Sequence, residues 1–149
     1  MLNYTNPITE KKIYSGLQIS EIRPIMKLIV RGKKREFLSA IGKSLNLLLP
    51  TETNTSTRSD RLTALWLSPD EWMIYSNEIL NLEDNNYETE ILLDKNISKT
   101  NLGAVTDVTD QFVLINLKGD KIYDLFEAGS PFNFNDFKNK NGSVVQTIL

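Results

Sequence analysis

In the first half of the chain, the spacing of apolar positions is typical of a strand in one segment and of a helix in the next. The apolar run 26–30 predicts a strand. Apolar residues then recur at helical spacing over 33–49, and Pro50 follows, which predicts a helix that ends at the proline. Residues 1–24 and the polar segment 51–60 show neither pattern, so we predict that both are irregular.

The middle of the chain predicts a hairpin and then a short helix. Residues 62–67 and 72–75 have strand patterns, and the intervening Ser-Pro-Asp-Glu sequence suits a tight reversal. A short helix over 87–95 is expected to turn Tyr87, Ile91 and Leu92 inward.

The last third predicts two strands, a helix and a closing strand. A strand over 103–108 is followed by one over 112–117, whose nearly continuous apolar character predicts burial on both faces. Asp120 is expected to cap a helix with Ile122, Leu125 and Phe126 on its inner side. Residues 144–149 predict the final strand.

The order of elements is therefore β-α-β-β-α-β followed by β-α-β. It predicts an α+β fold with a ferredoxin-like split β-α-β unit over about residues 25–108, followed by the start of a second such unit. The length of 149 residues suits a single domain over 1–149.

The composition limits the kinds of catalytic and metal sites that the chain can form, because it has no histidine and no cysteine. Disulfides, thiolate zinc sites and cysteine nucleophiles are excluded, and the commonest general base is missing. The net charge of −2 gives no sign of a nucleic-acid binder. No apolar run approaches the roughly 20 residues of a membrane helix, and the polar N-terminus does not resemble a secretory signal. We expect a soluble, cytoplasmic protein.

Three groups of residues are candidates for binding or catalysis. The basic run 31–35 begins a helix and could hold a phosphate or carboxylate, although a solvated first turn is the commoner role. Asp107 and Asp110 could share acid–base work, but aspartates in turns more often accept backbone hydrogen bonds. Trp66 and Trp72 could stack on a ligand, anchor a partner or pack in the core.

Five segments match one known family in order along the chain. They are the hairpin 66–72 (WLSPDEW), the strand and turn 104–111 (AVTDVTDQ), the strand-to-helix step 117–122 (LKGDKI), the helix end 126–133 (FEAGSPFN) and the closing segment 142–149 (GSVVQTIL). Together they resemble the gamma subunit of heterotetrameric sarcosine oxidase, with Ser130 where that family usually has cysteine. The family is related in fold to folate-binding aminomethyltransferases such as the glycine-cleavage T-protein.

The resemblance implies a non-catalytic accessory subunit of a complex that oxidatively demethylates sarcosine to glycine. Its partners would be the alpha, beta and delta subunits, which would hold the FAD, FMN, NAD, folate and zinc. No catalytic, cofactor-binding or metal-binding residue is expected in this chain. Trp72, Phe132 and Phe134 are the candidate partner contacts.

Members of that family usually continue beyond the closing segment, so we expect either that this chain is shortened at its C-terminus or that a partner completes the second unit. An exposed strand edge there would favour self-association of the isolated chain. The alternative functions are a stand-alone folate-binding module, with its ligand against the basic run 31–35, and an aminomethyltransferase-like enzyme.

Overall fold

The computed structural model describes residues 5, 8, 11–78, 88–137 and 140–148. In chain order the elements are β1 (Lys12–Tyr14), β2 (Leu17–Ile22), β3 (Lys27–Arg31), α1 (Arg35–Leu45), β4 (Ser56–Arg58), β5 (Leu62–Ser68), β6 (Glu71–Ser76), α2 (Glu88–Leu93), a π-helical turn (Asp94–Ser98), β7 (Ala104–Asp107), β8 (Leu114–Lys118), α3 (Ile122–Gly129) and a 3-10 turn (Phe134–Phe137). The predicted α+β class is confirmed, with helices combined with antiparallel sheets.

A five-stranded antiparallel sheet forms the centre of the molecule, in the order β4-β5-β6-β3-β7. β5 and β6 form the predicted hairpin and pair from Leu62 opposite Ser76 to Ser68 opposite Glu71. β3 lies between β6 and β7, so Ile29 pairs with Met73 on one side and with Thr106 on the other. The strand at 26–30 and the hairpin are therefore where their apolar patterns predicted them.

One face of this sheet is covered by α1 and by the helical segment 88–98. α1 buries Phe37 and Ile41 as its apolar stripe predicted, and the second segment contributes Leu93 and Ile97. Among the residues that the structure describes, the buried apolar members of this core are Leu28, Val30, Phe37, Ile41, Leu47, Leu49, Leu62, Ala64, Trp72, Ile74, Leu93 and Ile97.

The phenyl ring of Phe37 occupies a slot between two glycines. A methyl group on Gly32 would lie 2.4 Å from that ring. One on Gly103 would lie 2.2 Å from the carbonyl oxygen of Arg31 and 2.8 Å from the ring. Both positions must stay without a side chain for α1 to sit this close to β3 and β7.

Residues 12–14 and 17–22 form strands, so the prediction of an irregular segment over residues 1–24 was wrong for this part of it. β1 and β2 form a hairpin, and β2 also pairs with β8 across nearly a hundred residues of sequence, with Ile19 opposite Leu117. Gly16 turns the hairpin with a φ of +78°, which glycine adopts without strain. Gly119 has a φ of +129° and lies so close to Gly16 that a methyl group there would meet its carbonyl oxygen at 2.1 Å.

Several boundaries and orientations also differ from the predictions. α1 ends at Leu45 because Asn46 takes a left-handed conformation with a φ of +50°, and Leu48 beyond it is 77% exposed. Segment 51–60 contains β4, which pairs with β5. The strand expected over 144–149 is absent from the described residues 144–148, although Ser143 bridges Thr55. Residue 149 lies outside the described residues.

The orientation of the helix near residue 90 was also predicted wrongly. Ile91 is 65% exposed and Leu92 is exposed, while Leu93 and Ile97 face the core. α2 passes into a wider π-helical turn at Asp94, and such a turn shifts the angular position of the residues around it. Tyr87, the third residue expected to face inward, lies outside the described residues.

The C-terminal elements bury fewer apolar side chains than their sequence patterns predicted. β8 was expected to be covered on both faces, yet Ile115 is 50% exposed and no residue of β8 is fully buried. α3 ends at Gly129 with no fully buried residue and leaves Leu125 exposed. Its N-cap is Lys121, which makes no side-chain cap, so the expected capping by Asp120 was also wrong.

The slot around Phe37 predicts opposite effects for two glycine-to-alanine substitutions. Gly103→Ala should lower the free energy of unfolding by about 2 kcal/mol, because overpacking against Phe37 and the Arg31 carbonyl forces α1 away from the sheet. Gly42→Ala is the control, since its added methyl would meet its nearest atoms at 3.7 and 3.8 Å. In a helix that change should stabilise by about 0.5–1 kcal/mol. Urea unfolding measures both, and equal midpoints would contradict the role of the slot.

Candidate functional site

The two tryptophans lie opposite each other in the β5–β6 hairpin. Trp72 is 3% exposed, its Nε1–H donates a 2.7 Å hydrogen bond to the carbonyl oxygen of Pro50, and its ring centroid lies 5.8 Å from that of Phe37. Trp66 is half-buried beside it. The core interpretation is therefore correct for Trp72, which has almost no surface left for the partner contact predicted for it.

The basic run at the start of α1 is partly neutralised by the hairpin turn. The Arg31 guanidinium lies 3.9 Å and the Lys33 ammonium 3.8 Å from the Asp70 carboxylate, while Gly32 N–H donates to the Asp70 carbonyl oxygen. Ser68 Oγ donates to the same carboxylate at 3.0 Å. Two cations of the run thus hold the hairpin turn against the end of β3, and Lys34 and Arg35 are exposed to solvent.

A cavity of about 210 Å³ opens beside these residues, between the hairpin and the start of α1. It is lined by Gly32, Lys33, Leu38, Thr51, Thr53, Trp66, Pro69 and Trp72. Its walls are therefore mostly apolar and aromatic, with one ammonium group and two hydroxyl groups among them.

Asp107 and Asp110 belong to a turn that closes around a buried lysine. Asp107 Oδ1 accepts a 2.8 Å hydrogen bond from Thr109 N–H, which is the structural role expected for a turn aspartate. Thr109 Oγ1 accepts from Lys27 N–H, and Val108 N–H donates to the Lys27 carbonyl oxygen. The turn is thereby fastened to β3 at Lys27.

Lys27 is 2% exposed, and its Nζ donates to the carbonyl oxygen of Ile25 at 3.0 Å. Burial lowers the pKa of Lys27, while the charges of Asp110 and Asp107 act in the opposite direction. Burial also raises the pKa of Glu90, and Asp107 and Asp94 add to that shift. Sequence reasoning overlooked Lys27, although a single lysine inside the apolar run 26–30 was the available signal.

The described residues contain no group of three or more acidic side chains placed to hold a metal ion. None of the helices in the described ranges is long and apolar enough to span a bilayer.

Phe132 and Phe134 belong to a cluster of four phenylalanines at the C-terminal end of α3. Phe126 and Phe134 stack with centroids 4.9 Å apart, and Phe132 meets Phe134 and Phe137 edge-on at 4.9 and 5.4 Å. Phe134 is 4% exposed and Phe132 is half-buried. Of the three predicted partner contacts, only Phe132 offers surface in this conformation, and its contact with a partner stays a prediction.

The three-stranded sheet β1-β2-β8 has exposed apolar side chains on both faces within the described part of the chain, while most residues of the central strand β2 are half-buried. Side chains alternate across it, so Ile13 and Ile22 lie on one face and Tyr14 and Ile115 on the other. All four are exposed, and no residue of the three strands is fully buried. Phe112, Val113 and Leu125 add exposed apolar side chains nearby in sequence. We call β1, β2 and β8 the uncovered sheet.

No model of a protein family matches this chain, and no curated protein matches it. Among solved structures, it is similar to a chain of the heterotetrameric sarcosine oxidase from Corynebacterium sp. U-96, determined in complex with pyrrole 2-carboxylate. The TM-score is 0.74 at 16% sequence identity. The match covers 88% of this chain and 64% of the length of the other. The two chains share a fold.

The burial of Lys27 predicts that the stability of the fold depends on pH. Its pKa in the folded chain lies below the ordinary lysine value of about 10.4, so at alkaline pH the unfolded chain keeps a proton that the folded chain releases. The penalty for burying the ammonium is therefore relieved as the pH rises toward that value. The stability of the wild type relative to Lys27→Met should increase between neutral and alkaline pH.

Urea unfolding at several pH values measures this difference. Lys43→Met, which removes an exposed lysine from α1, controls for the general effect of losing a lysine. Parallel stability curves for the wild type and Lys27→Met would contradict the prediction.

Proposed function

We propose that this chain is a non-catalytic accessory subunit of a sarcosine-oxidase-type complex. The observation that carries the proposal is the fold, which is similar over 88% of the chain to a chain of a heterotetrameric sarcosine oxidase. The motifs over 66–149 that resemble the gamma subunit of that complex give independent support. The alpha, beta and delta subunits would be its partners.

The uncovered sheet supports a role in assembly. Monomeric proteins rarely leave large apolar patches in water, and such patches commonly mark interaction sites. Here a sheet of three strands has exposed apolar side chains on both faces, whereas the larger sheet has a packed core on the face covered by α1. Partner subunits would cover Tyr14 and Ile115 on one face or Ile13 and Ile22 on the other.

The order of the central elements supports a ferredoxin-like split unit, which we propose for β3-α1-β5-β6-α2-β7. β6 and β7 flank β3, and β5 lies beyond β6, so the second strand of the first β-α-β step is separated from its first strand by β6. We also propose that β8 and α3 begin a second unit, in one domain over 1–149. This arrangement would correspond to the folate-binding aminomethyltransferase fold.

A non-catalytic role is supported by the side chains that the sequence lacks. Without histidine or cysteine, the chain has neither the usual general base nor a thiol nucleophile. FAD, FMN, NAD, folate and zinc would then reside in the partner subunits. The complex would oxidatively demethylate sarcosine to glycine in the cytoplasm.

Affinity purification of the tagged chain from its native cells tests this assignment. We expect large subunits in fixed proportion, identified by mass spectrometry, with a flavin absorbance spectrum and sarcosine-dependent activity in the eluate. An eluate that holds this chain alone and binds folate saturably would instead support the stand-alone folate module. Sedimentation velocity of the chain purified on its own tests the predicted self-association, and a monomer at micromolar concentration would contradict it.

Substitutions on the uncovered sheet locate the interface. Ile115→Asp places a charge on the exposed face of the edge strand β8 and should reduce recovery of the flavin-containing subunits at least tenfold, because an unpaired charge would be buried on assembly. Leu48→Asp is the matched control, since Leu48 is 77% exposed next to α1. Equal recovery with both variants, each folded by circular dichroism, would place the interface elsewhere.

A further inference from the structure

We propose that the cavity between the tryptophan hairpin and α1 binds a small planar aromatic anion, a single ring that carries a carboxylate. The proposal concerns the surface formed by Trp66, Lys33 and the loop at Thr51 and Thr53. It does not depend on the subunit assignment, because these residues lie outside the uncovered sheet.

The size of the cavity limits the ligand to about one ring. Its volume of about 210 Å³ is below the roughly 300–1,000 Å³ that drug-sized ligands occupy. It exceeds the cavity of about 150 Å³ that is known to take up benzene in another protein. The volume therefore suits a six-membered ring with one small substituent better than a fused ring system with a long tail.

The walls favour an aromatic ring. Trp72 is fixed by its hydrogen bond to Pro50 and by the ring of Phe37 behind it, so it forms a rigid wall. Trp66 lies opposite it in the hairpin, and no hydrogen bond from its indole N–H to the described residues is found. Pro69 and Leu38 complete an apolar lining on which a flat ring loses little conformational entropy.

The polar groups of the cavity favour a negative charge on that ring. Lys33 is the one charged residue among the described residues of the lining, and the hydroxyl groups of Thr51 and Thr53 are hydrogen-bond donors. The Asp70 carboxylate lies 3.8 Å from the Lys33 ammonium and would compete with a ligand carboxylate. Asp70 also faces Arg31, so a second cation stays with Asp70 when Lys33 turns toward the ligand.

The chain contains two tryptophans, and both line this cavity. Their indole N–H signals in a nitrogen–proton correlation NMR spectrum therefore report directly on binding, and their dispersion reports on folding. Nicotinate and nicotinamide are suitable probes, because they share one ring and differ in the charge of its substituent. We expect saturable shifts of the indole signals with nicotinate and weaker binding of nicotinamide.

Three variants test the roles of Lys33 and Asp70 in binding. Lys33→Gln should weaken nicotinate binding about 1.5- to fivefold, the range of an exposed ion pair, and should leave nicotinamide binding unchanged. Lys34→Gln is the matched control, because Lys34 is exposed next to Lys33 but does not line the cavity. Asp70→Asn, which removes the competing carboxylate, should tighten nicotinate binding.

The assignment is overturned by any of three results. The first is the absence of saturable nicotinate shifts up to the solubility of the probe. The second is equal affinity for nicotinate and nicotinamide. The third is the same nicotinate affinity in Lys33→Gln as in Lys34→Gln when both variants retain dispersed indole signals.

Discussion

The packing of the Phe37 ring between Gly32 and Gly103 is the constraint on which the central fold depends. The ring connects α1 to the end of β3 and to the start of β7, and Trp72 of β6 lies beside it. Four elements thus meet at one side chain. Because protein interiors are packed as densely as organic crystals, a displacement of this ring would also move the indole that forms one wall of the cavity.

Local patterns were sufficient to predict the parts of this core that lie close together in sequence. The β5–β6 hairpin is determined by two apolar runs and a four-residue turn, and α1 by its apolar stripe ahead of Pro50. The end of α1 could not be predicted, because Asn46 terminates it by adopting a left-handed conformation that many residues near a helix end could take.

The pairing of the N-terminal hairpin with β8 and the burial of Lys27 were not predictable, because distant residues determine them. β2 is half apolar, and nothing in its own sequence indicates that it pairs with β8. The glycines that bring the two strands together, Gly16 and Gly119, are far apart in the chain. Lys27 looks like an edge residue of a strand until the turn at 107–110 folds over it. The cavity likewise needs the loop after Pro50 to meet the hairpin.

The uncovered sheet affects which part of the molecule unfolds first. Segments with few buried contacts undergo partial unfolding at a lower free energy than segments inside a core. We expect amide hydrogens of β1, β2 and β8 to exchange with solvent well before those of β3, β5 and β6. An unassembled copy would then expose these strands transiently and become a substrate for proteolysis, so its cellular lifetime would be set by how soon another protein surface encloses them.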